Sequence, residues 1–368
     1  MRLLICASEY YPYGSGIANV AYNVVQQLEK MGVDCTVCSP TGPDIQIASR
    51  SMIHKYGRLG LLYYWQQVAR YFKETANDYD VAWLHYPLFL GQNPFRRCLV
   101  TIHSTAYGLK RPPHLYIYKK LTSKIEDYCL NKINNKVRFT AVSHQSCQEL
   151  RAITRGRRDI THIPNGVDIE RFKPCKDKNE LRSRLNIPED AVVLLSVGRL
   201  VYHKMPFRMI DIFHEIQKSY KKHMLVIAGK GKLLEQVKAY VAEKNVGNIR
   251  FLGFVPDDDL PGLFACSDFF ITTARYEGGE PTLAVAEAMA SGLPCIVSDI
   301  PNRRIIENGD CGLGVDFSDE EKATQEVVDY VGKKRLEHSR NAREYAVNSL
   351  DWNLIAGRYL EEFRKSSL

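Results

Sequence analysis

The chain has no uninterrupted apolar run near the roughly 20 residues that a bilayer-spanning helix requires. Its first residues show no charged, apolar and small-residue succession of a secretory leader; Met1 to Ala7 reads straight into a strand. A location in the cytoplasm is expected. No repeat of fixed period and no low-complexity tract is present. Metal-ligand patterning is equally thin. Cys35 and Cys38 form a C-x-x-C without a second pair, and in a strand over Asp34 to Ser39 they would point to opposite faces. The ten cysteines are therefore read as reduced core residues. The acidic run Asp257-Asp258-Asp259 precedes Leu260 and a helical stretch, where acids favour a helix start, so no metal is expected there. Gly229-Lys230-Gly231 lacks the third glycine and the later acidic residue of a dinucleotide fingerprint, which argues against a dehydrogenase.

What is present suits two domains. A chain of 368 residues exceeds one ordinary core, and 45% hydrophobic with 25% charged residues is ordinary for globular proteins. Short apolar runs at Arg2 to Ala7, Cys35 to Pro40, Val81 to Tyr86, Cys98 to His103 and Phe139 to His144 alternate with longer amphipathic stretches, the mark of β-α-β units. Ile17 to Lys30 reads as a crossover helix, with Val20, Val24, Val25 and Leu28 on one stripe and Gly32 past its end. A second series follows at Val192 to Val197, Met224 to Ala228, Ile249 to Phe254, Phe269 to Thr272 and Cys295 to Ser298. Turn chemistry at Pro164 to Asp168 suits a hinge, and the boundary is set near Lys173, giving domains 1–173 and 174–368. The expected fold class is α/β, two doubly wound parallel sheets of Rossmann-like type whose carboxyl-end loops face a cleft.

Charge divides unevenly between the halves. Through Pro174 there are 23 Lys and Arg against 13 Asp and Glu, whereas acids slightly outnumber bases in the remainder. That asymmetry points to an anionic partner for the first half. From Tyr107 to Lys124, Lys110, Arg111, Lys119, Lys120 and Lys124 interleave with Leu115, Tyr116, Ile117, Tyr118 and Leu121. Upstream, Leu61, Leu62, Tyr63, Tyr64, Trp65, Tyr71 and Phe72 gather beside Arg70 and Lys73. Such mixtures suit either a membrane interface or a helix core with a solvated charged face.

Two clusters carry the chemistry. After the strand ending at Val197 comes Gly198-Arg199-Leu200-Val201-Tyr202-His203-Lys204, whose Arg199 and Lys204 could grip a diphosphate. The second, Tyr276-Glu277-Gly278-Gly279-Glu280-Pro281-Thr282-Leu283, opens an apolar helix that carries Glu287 and ends at Gly292. Glycines before a helix start let amides approach a phosphate, and the helix dipole favours that charge. Glu287 inside the helix needs a partner such as the two hydroxyls of a ribose.

With Val226 to Gly231, Phe251-Leu252-Gly253 and Ile163 to Asp168 with Arg171-Phe172, this ordered set resembles the retaining GT-B glycosyltransferases of family 4 over nearly the whole chain. The resemblance implies that Arg199 and Lys204 hold the donor diphosphate, that Glu287 binds the donor ribose, and that the Gly14-Ser15-Gly16 turn approaches the donor. It places His103 beside the donor sugar. It also implies retention, no metal, an acceptor-binding N-terminal domain, a donor-binding C-terminal domain, and a final helix, about 351–368, packed back on the first domain. The family spaces its two glutamates by seven intervening residues; here Gly279 stands at the first position, leaving Glu280, preferred, or Glu277 for the sugar. Thr282 and Leu283 are expected to turn their amides to the phosphates. The expected partners are a nucleotide sugar, UDP- or GDP-linked, an acceptor glycan or lipid, and an anionic membrane surface on the basic domain, with peripheral association at its inner face. Nucleic acid is not expected. A GT-B phosphorylase, a nucleotide-sugar epimerase and a non-catalytic nucleotide-sugar-binding subunit are the alternatives.

Overall fold

The computed structural model describes the whole chain apart from Ser15, 109–115, Asn135, Lys176, 299–301, Lys334, Leu368 and the side chain of His54. The chain divides into two compact units, Met1–Gly166 with Trp352–Leu368, and Val167–Asp351.

The first unit is built on a seven-stranded parallel sheet. Its strands are β1 (Arg2–Cys6), β2 (Asp34–Ser39), β3 (Ile45–Gln46), β4 (Val81–His85), β5 (Cys98–Ile102), β6 (Arg138–Ala141) and β7 (Ile160–His162), in the order β3-β2-β1-β4-β5-β6-β7. β4 and β5 are buried along their whole length, as strands covered on both faces must be. Helices α1 (Gly16–Lys30), α2 (Arg50–Tyr56), α3 (Arg58–Tyr71), α4 (Tyr116–Lys132) and α5 (His144–Ile153) belong to this unit. On α1 the predicted stripe Val20, Val24, Val25 and Leu28 is buried. The two short strands β3 and β7 carry too few apolar residues to stand out in the sequence.

The last helix, α14 (Trp352–Ser367), also belongs to the first unit. Trp352, Ile355, Ala356, Tyr359 and Phe363 form its buried stripe, at helical spacing. Tyr359 and Phe363 pack on Trp83 of β4, with ring centroids 4.8 and 5.4 Å away. Arg138 Nε on β6 donates to Glu362 at 2.8 Å, and Glu362 is almost fully buried. Desolvation of Glu362 is outweighed by hydrogen bonds from Lys365 and Arg138, which hold its carboxyl below the usual range. The turn at Asn165-Gly166 serves this docking: a Cβ on Gly166 would lie 2.4 Å from the Trp352 ring.

The second unit begins at Val167, ahead of the boundary expected at Lys173. The reason is packing: the Val167 amide donates to the Leu350 carbonyl at 2.7 Å, and Val167 and Phe172 enter the second core. Its six strands are β8 (Val192–Val197), β9 (His223–Ala228), β10 (Ile249–Gly253), β11 (Phe269–Ile271), β12 (Cys295–Ser298) and β13 (Gly312–Val315), ordered β10-β9-β8-β11-β12-β13. The helices are α6 (Asn179–Arg184), α7 (Pro206–Ser219), α8 (Leu234–Glu243), α9 (Leu260–Ala265), α10 (Leu283–Ala290), α11 (Arg303–Asn308), α12 (Glu320–Val331) and α13 (Leu336–Ser349). α9 starts directly after the acidic run 257–259, whose Asp259 is its N-cap residue.

Each sheet reverses its strand order at its first strand, so the switch point lies between β1 and β4 in one unit and between β8 and β11 in the other. Loops at the carboxyl ends of such strands are where ligands of open α/β sheets bind. In the second unit these loops touch backbone to backbone. Gly198 N donates to Ala228 O at 2.9 Å, Leu200 N to Lys230 O at 3.0 Å, and Leu233 N to Leu200 O at 3.1 Å. The glycines of Gly229-Lys230-Gly231 exist for this approach: a Cβ at Gly229 would sit 1.9 Å from Gly198 O, and one at Gly231 2.1 Å from Leu200 O. Gly229 also holds φ +145°, which side-chain-bearing residues rarely adopt. Gly229→Ala is expected to cost about 2 kcal/mol or more of unfolding stability. Thermal denaturation checks this; an unchanged midpoint contradicts the contact.

Candidate functional site

In the second unit the site is assembled from the segments following β8, β11 and β12. After β8 the chain passes Gly198, then Arg199, whose side chain is exposed and has no hydrogen-bond or ion-pair partner among the described residues. A single 3-10 turn, Tyr202–Lys204, and Met205 in left-handed conformation lead into Pro206 at the start of α7. The segment after β11 is stitched to it. Thr273 Oγ1 donates to the carbonyls of Lys204 and Met205, both at 3.0 Å, and Arg275 N donates to His203 O at 2.8 Å.

Lys204 Nζ reaches both carboxylate oxygens of Glu277, at 2.5 and 2.7 Å. Glu277 is buried and Lys204 partly so, which strengthens the pair over an exposed one. An ammonium has three protons. Two are directed to Glu277 and one remains for a ligand.

Thr282 is the extended N-cap residue of α10, and its side chain does not cap the helix. Its amide, expected to face the phosphates, donates instead to Asn302 Oδ1 at 3.0 Å, because Asn302 is buried against the helix start. Leu283 opens the helix, and its amide has no intrahelical acceptor, as at every helix start. Glu280 is buried, with Arg304 Nε of α11 3.9 Å away. Sequence reasoning missed Asn302 and Arg304; neither stands in a pattern that sets it apart from other residues after a strand. Gly292 ends the helix segment with φ +72°.

Glu287 lies half-buried on α10. Desolvation pushes its carboxyl up to about 7, Arg171 pulling it down and Asp257 adding to the rise. A carboxyl left without a compensating donor is poised for one that a ligand brings.

In the first unit, Gly14 takes φ +137°, where a Cβ would meet Ala18 and Glu9 at 2.7 and 2.8 Å. Gly16 is the first residue of α1, while Ser15 between them lies outside the described residues. His103 follows β5 and is buried; its Nε2 lies 2.9 Å from His85 Nδ1. Desolvation pushes His103 down to about 4, so it is neutral near pH 7. The loop beyond it is held by two buried carboxylates. Glu126 accepts from the amides of Ala106 and Tyr107, and Glu149 from Thr105 Oγ1 at 2.6 Å. Sequence reasoning also missed these three side chains, His85, Glu126 and Glu149.

Two Rossmann-like units, each with its ligand loops at the strand-order reversal, define the GT-B class of fold. The structure superimposes on WaaG, a glycosyltransferase involved in lipopolysaccharide biosynthesis, with TM-score 0.77 at 17% identity over 98% of each chain. It also matches sucrose-phosphate synthase of Thermosynechococcus elongatus, with TM-score 0.79 at 18% identity over 99% and 98% of the two chains. The family model for Glycosyltransferase Family 4 matches residues 14–171, and that for Glycosyl transferases group 1 matches residues 177–349. The chain belongs to glycosyltransferase family 4. Among curated proteins it is 31% identical over 199 residues to the UDP-Gal:alpha-D-GlcNAc-diphosphoundecaprenol alpha-1,3-galactosyltransferase of Escherichia coli. That match covers 52% of this chain, and the chain spans about half the length of that relative, 50%.

The raised Glu287 carboxyl has a measurable consequence. Between its unfolded and folded pKa values, from ordinary carboxylate to about 7, the folded state binds the proton that the unfolded state has lost. Its contribution to stability is therefore present at low pH and lost as pH rises through 7. Glu287→Gln removes that loss, so from about pH 5 to pH 8 the variant should gain on the parent by of order 2 kcal/mol in urea unfolding. Parallel pH profiles contradict it.

Proposed function

We propose that the chain transfers a hexosyl group from a nucleoside-diphosphate sugar to an acceptor hydroxyl with retention of anomeric configuration. The observation that carries this is the donor-side cluster of the second unit: unpaired Arg199, Lys204 with one free proton, and the uncapped start of α10 four residues before Glu287. All three anion-binding elements stand on loops or a helix start at one switch point.

The difficulty of the reaction is departure of the nucleoside diphosphate from the anomeric carbon. Fixed donors at the phosphate oxygens stabilise the charge as it develops, and in many enzymes such stabilisation supplies most of the rate enhancement. Arg199 offers a planar fork, Lys204 a point charge held in place by Glu277, and Leu283 an amide at the positive end of the α10 dipole. These groups do the work often given to a divalent ion, so the reaction is assigned no metal. Glu287, once ionised, accepts from both ribose hydroxyls. Glu277 is committed to Lys204, which favours Glu280 for the sugar, with Arg304 beside it; the role of His103 there and that of Gly14 and Gly16 near the donor rest on the family resemblance.

The donor reading predicts that nucleoside diphosphates raise the melting temperature of the chain, because a ligand that binds the native state stabilises it. Arg199→Ala and Lys204→Ala should lose most of that shift and lower kcat/KM for transfer by about a hundredfold. Unaltered transfer by Arg199→Ala would overturn the assignment.

The acceptor is assigned to the first unit and to an anionic lipid surface or a lipid-linked molecule upon it. On α4, Tyr116, Ile117 and Leu121 are exposed, Ile117 by 82%, beside exposed Lys120 and Lys124. Met52, Tyr56, Leu59 and Tyr63 of α2 and α3 are exposed as well, and Tyr118 approaches Gly57 between those helices. The upstream aromatics divide: Leu62, Tyr64, Trp65 and Phe72 are core, whereas Tyr63 and Tyr71 face outward. Lys110, Arg111 and Leu115 lie outside the described residues. Among the described residues no helix is long and apolar enough to cross a membrane. Exposed aromatics with flanking cations gain both apolar burial and about 1 kcal/mol per cation on anionic lipid. Sedimentation with anionic vesicles should exceed that with neutral vesicles at low salt and fade toward ~0.5 M salt. Equal, negligible sedimentation with both removes the membrane from the reading and leaves a dissolved acceptor.

A further inference from the structure

The first unit holds a histidine that the donor reading does not use. His85 closes β4, two residues beyond Trp83 and so on the same face of the sheet. It is 1% exposed, and the Trp83 ring lies 4.1 Å from its own between centroids. Its Nδ1 faces His103 Nε2 at 2.9 Å, with the two ring planes 15° apart, a geometry that suits an in-plane hydrogen bond. The outer nitrogens differ. Among the described residues His85 Nε2 is enclosed and has no hydrogen-bond partner, whereas His103 Nδ1 is not one of the enclosed, unpartnered atoms.

Only one proton fits between the facing nitrogens. Burial drives both imidazoles toward neutrality, with the neighbouring His103 adding to the effect at His85, so each ring carries a single N–H. If His103 Nε2–H donated, the proton of His85 would sit on Nε2 as a buried donor with no acceptor, at a cost of about 1–3 kcal/mol. If His85 Nδ1–H donates, the enclosed Nε2 of His85 is a bare lone pair among aromatic rings, and no N–H is orphaned. Among backbone groups orphaned N–H donors are rarer than under-satisfied acceptors, and the same preference is applied to this ring.

We propose that His85 is a positioning residue that locks His103 in the Nδ1–H tautomer, so that His103 presents a hydrogen-bond donor, and no base, to an oxygen of the donor sugar. The second half of this statement rests on the reading that His103 meets the sugar; the tautomer itself does not. The same arrangement explains why a histidine this deeply desolvated is useful: it remains neutral, and its free proton cannot relocate to the inner nitrogen.

Long-range proton–nitrogen NMR of the intact chain separates the two tautomers by the shifts of the ring nitrogens. His103 is expected as Nδ1–H, the form that free imidazole disfavours; finding it as Nε2–H overturns the proposal without any variant. His85→Asn keeps a donor in place and should keep His103 as Nδ1–H. His85→Asp offers only an acceptor and should turn His103 to Nε2–H, with kcat for transfer falling about tenfold, the worth of one misdirected hydrogen bond. The donor KM should change less than kcat, and His85→Asn should turn over several-fold faster than His85→Asp. A tautomer unmoved by His85→Asp overturns the proposal. If His103 is Nδ1–H and yet His103→Ala transfers sugar normally, the tautomer lock stands and the sugar-side reading of His103 falls.

Discussion

The donor-side loops of the second unit depend on the pairing of Lys204 with Glu277. A lysine side chain is long and rotamer-rich, and a cation held only by solvent would spread over many positions. The buried carboxylate of Glu277 takes two of its protons and fixes the third. Removing either partner would leave the other as an unpaired charge away from water, which is why the two hold together. The backbone around them follows: Thr273 ties off the carbonyls of Lys204 and Met205, and Arg275 N donates to His203 O. Pre-set charge matters for a reaction whose barrier is charge separation, because little has to reorganise as the diphosphate departs.

The glycines beside this pair work toward the same rigidity. Gly229 and Gly231 let two adjacent strand-end loops share backbone hydrogen bonds at distances a side chain would forbid. The motif that looked like an incomplete dinucleotide fingerprint is thus a packing device, which stiffens the loop bearing Arg199. Arg199 itself is left solvent-facing and unpaired, as a residue awaiting an anion should be.

Much of this was readable from residue order. Long strands such as β1, β4, β5 and β8 announce themselves as apolar runs, and the stripe on α1 matches its buried face. β3, β7 and β13 went unseen because their residues, Ile-Gln, Ile-Thr-His and Gly-Leu-Gly-Val, form no continuous apolar run like those of the equally short β11 and β12. The Thr282 amide was misassigned since its acceptor, Asn302, lies 20 residues downstream and nothing local marks it. Pairs such as Lys204 with Glu277 span 73 positions, and His85 with His103 span 18. Sequence names the chemically able residues; which carboxylate faces which cation is decided by loop geometry. The exposed aromatics divide for a similar reason, since Tyr63 and Tyr64 are neighbours that a helix sets about 100° apart, one facing outward and one into the core.

The placement of α14 has a bearing on how the protein is made. Trp83 of β4 finds its covering rings on Tyr359 and Phe363, and β6 finds its buried counter-charge on Glu362. A chain emerging from the ribosome amino end first exposes that face of the first sheet until α14, which follows the whole second unit, has been translated. Throughout synthesis of the second unit, the nascent first unit must wait with an aromatic surface uncovered and Arg138 lacking Glu362, one of its two carboxylate partners. Its folding is therefore completed only when α14 arrives, and the interval before that is when chaperones or an unwanted neighbour would bind.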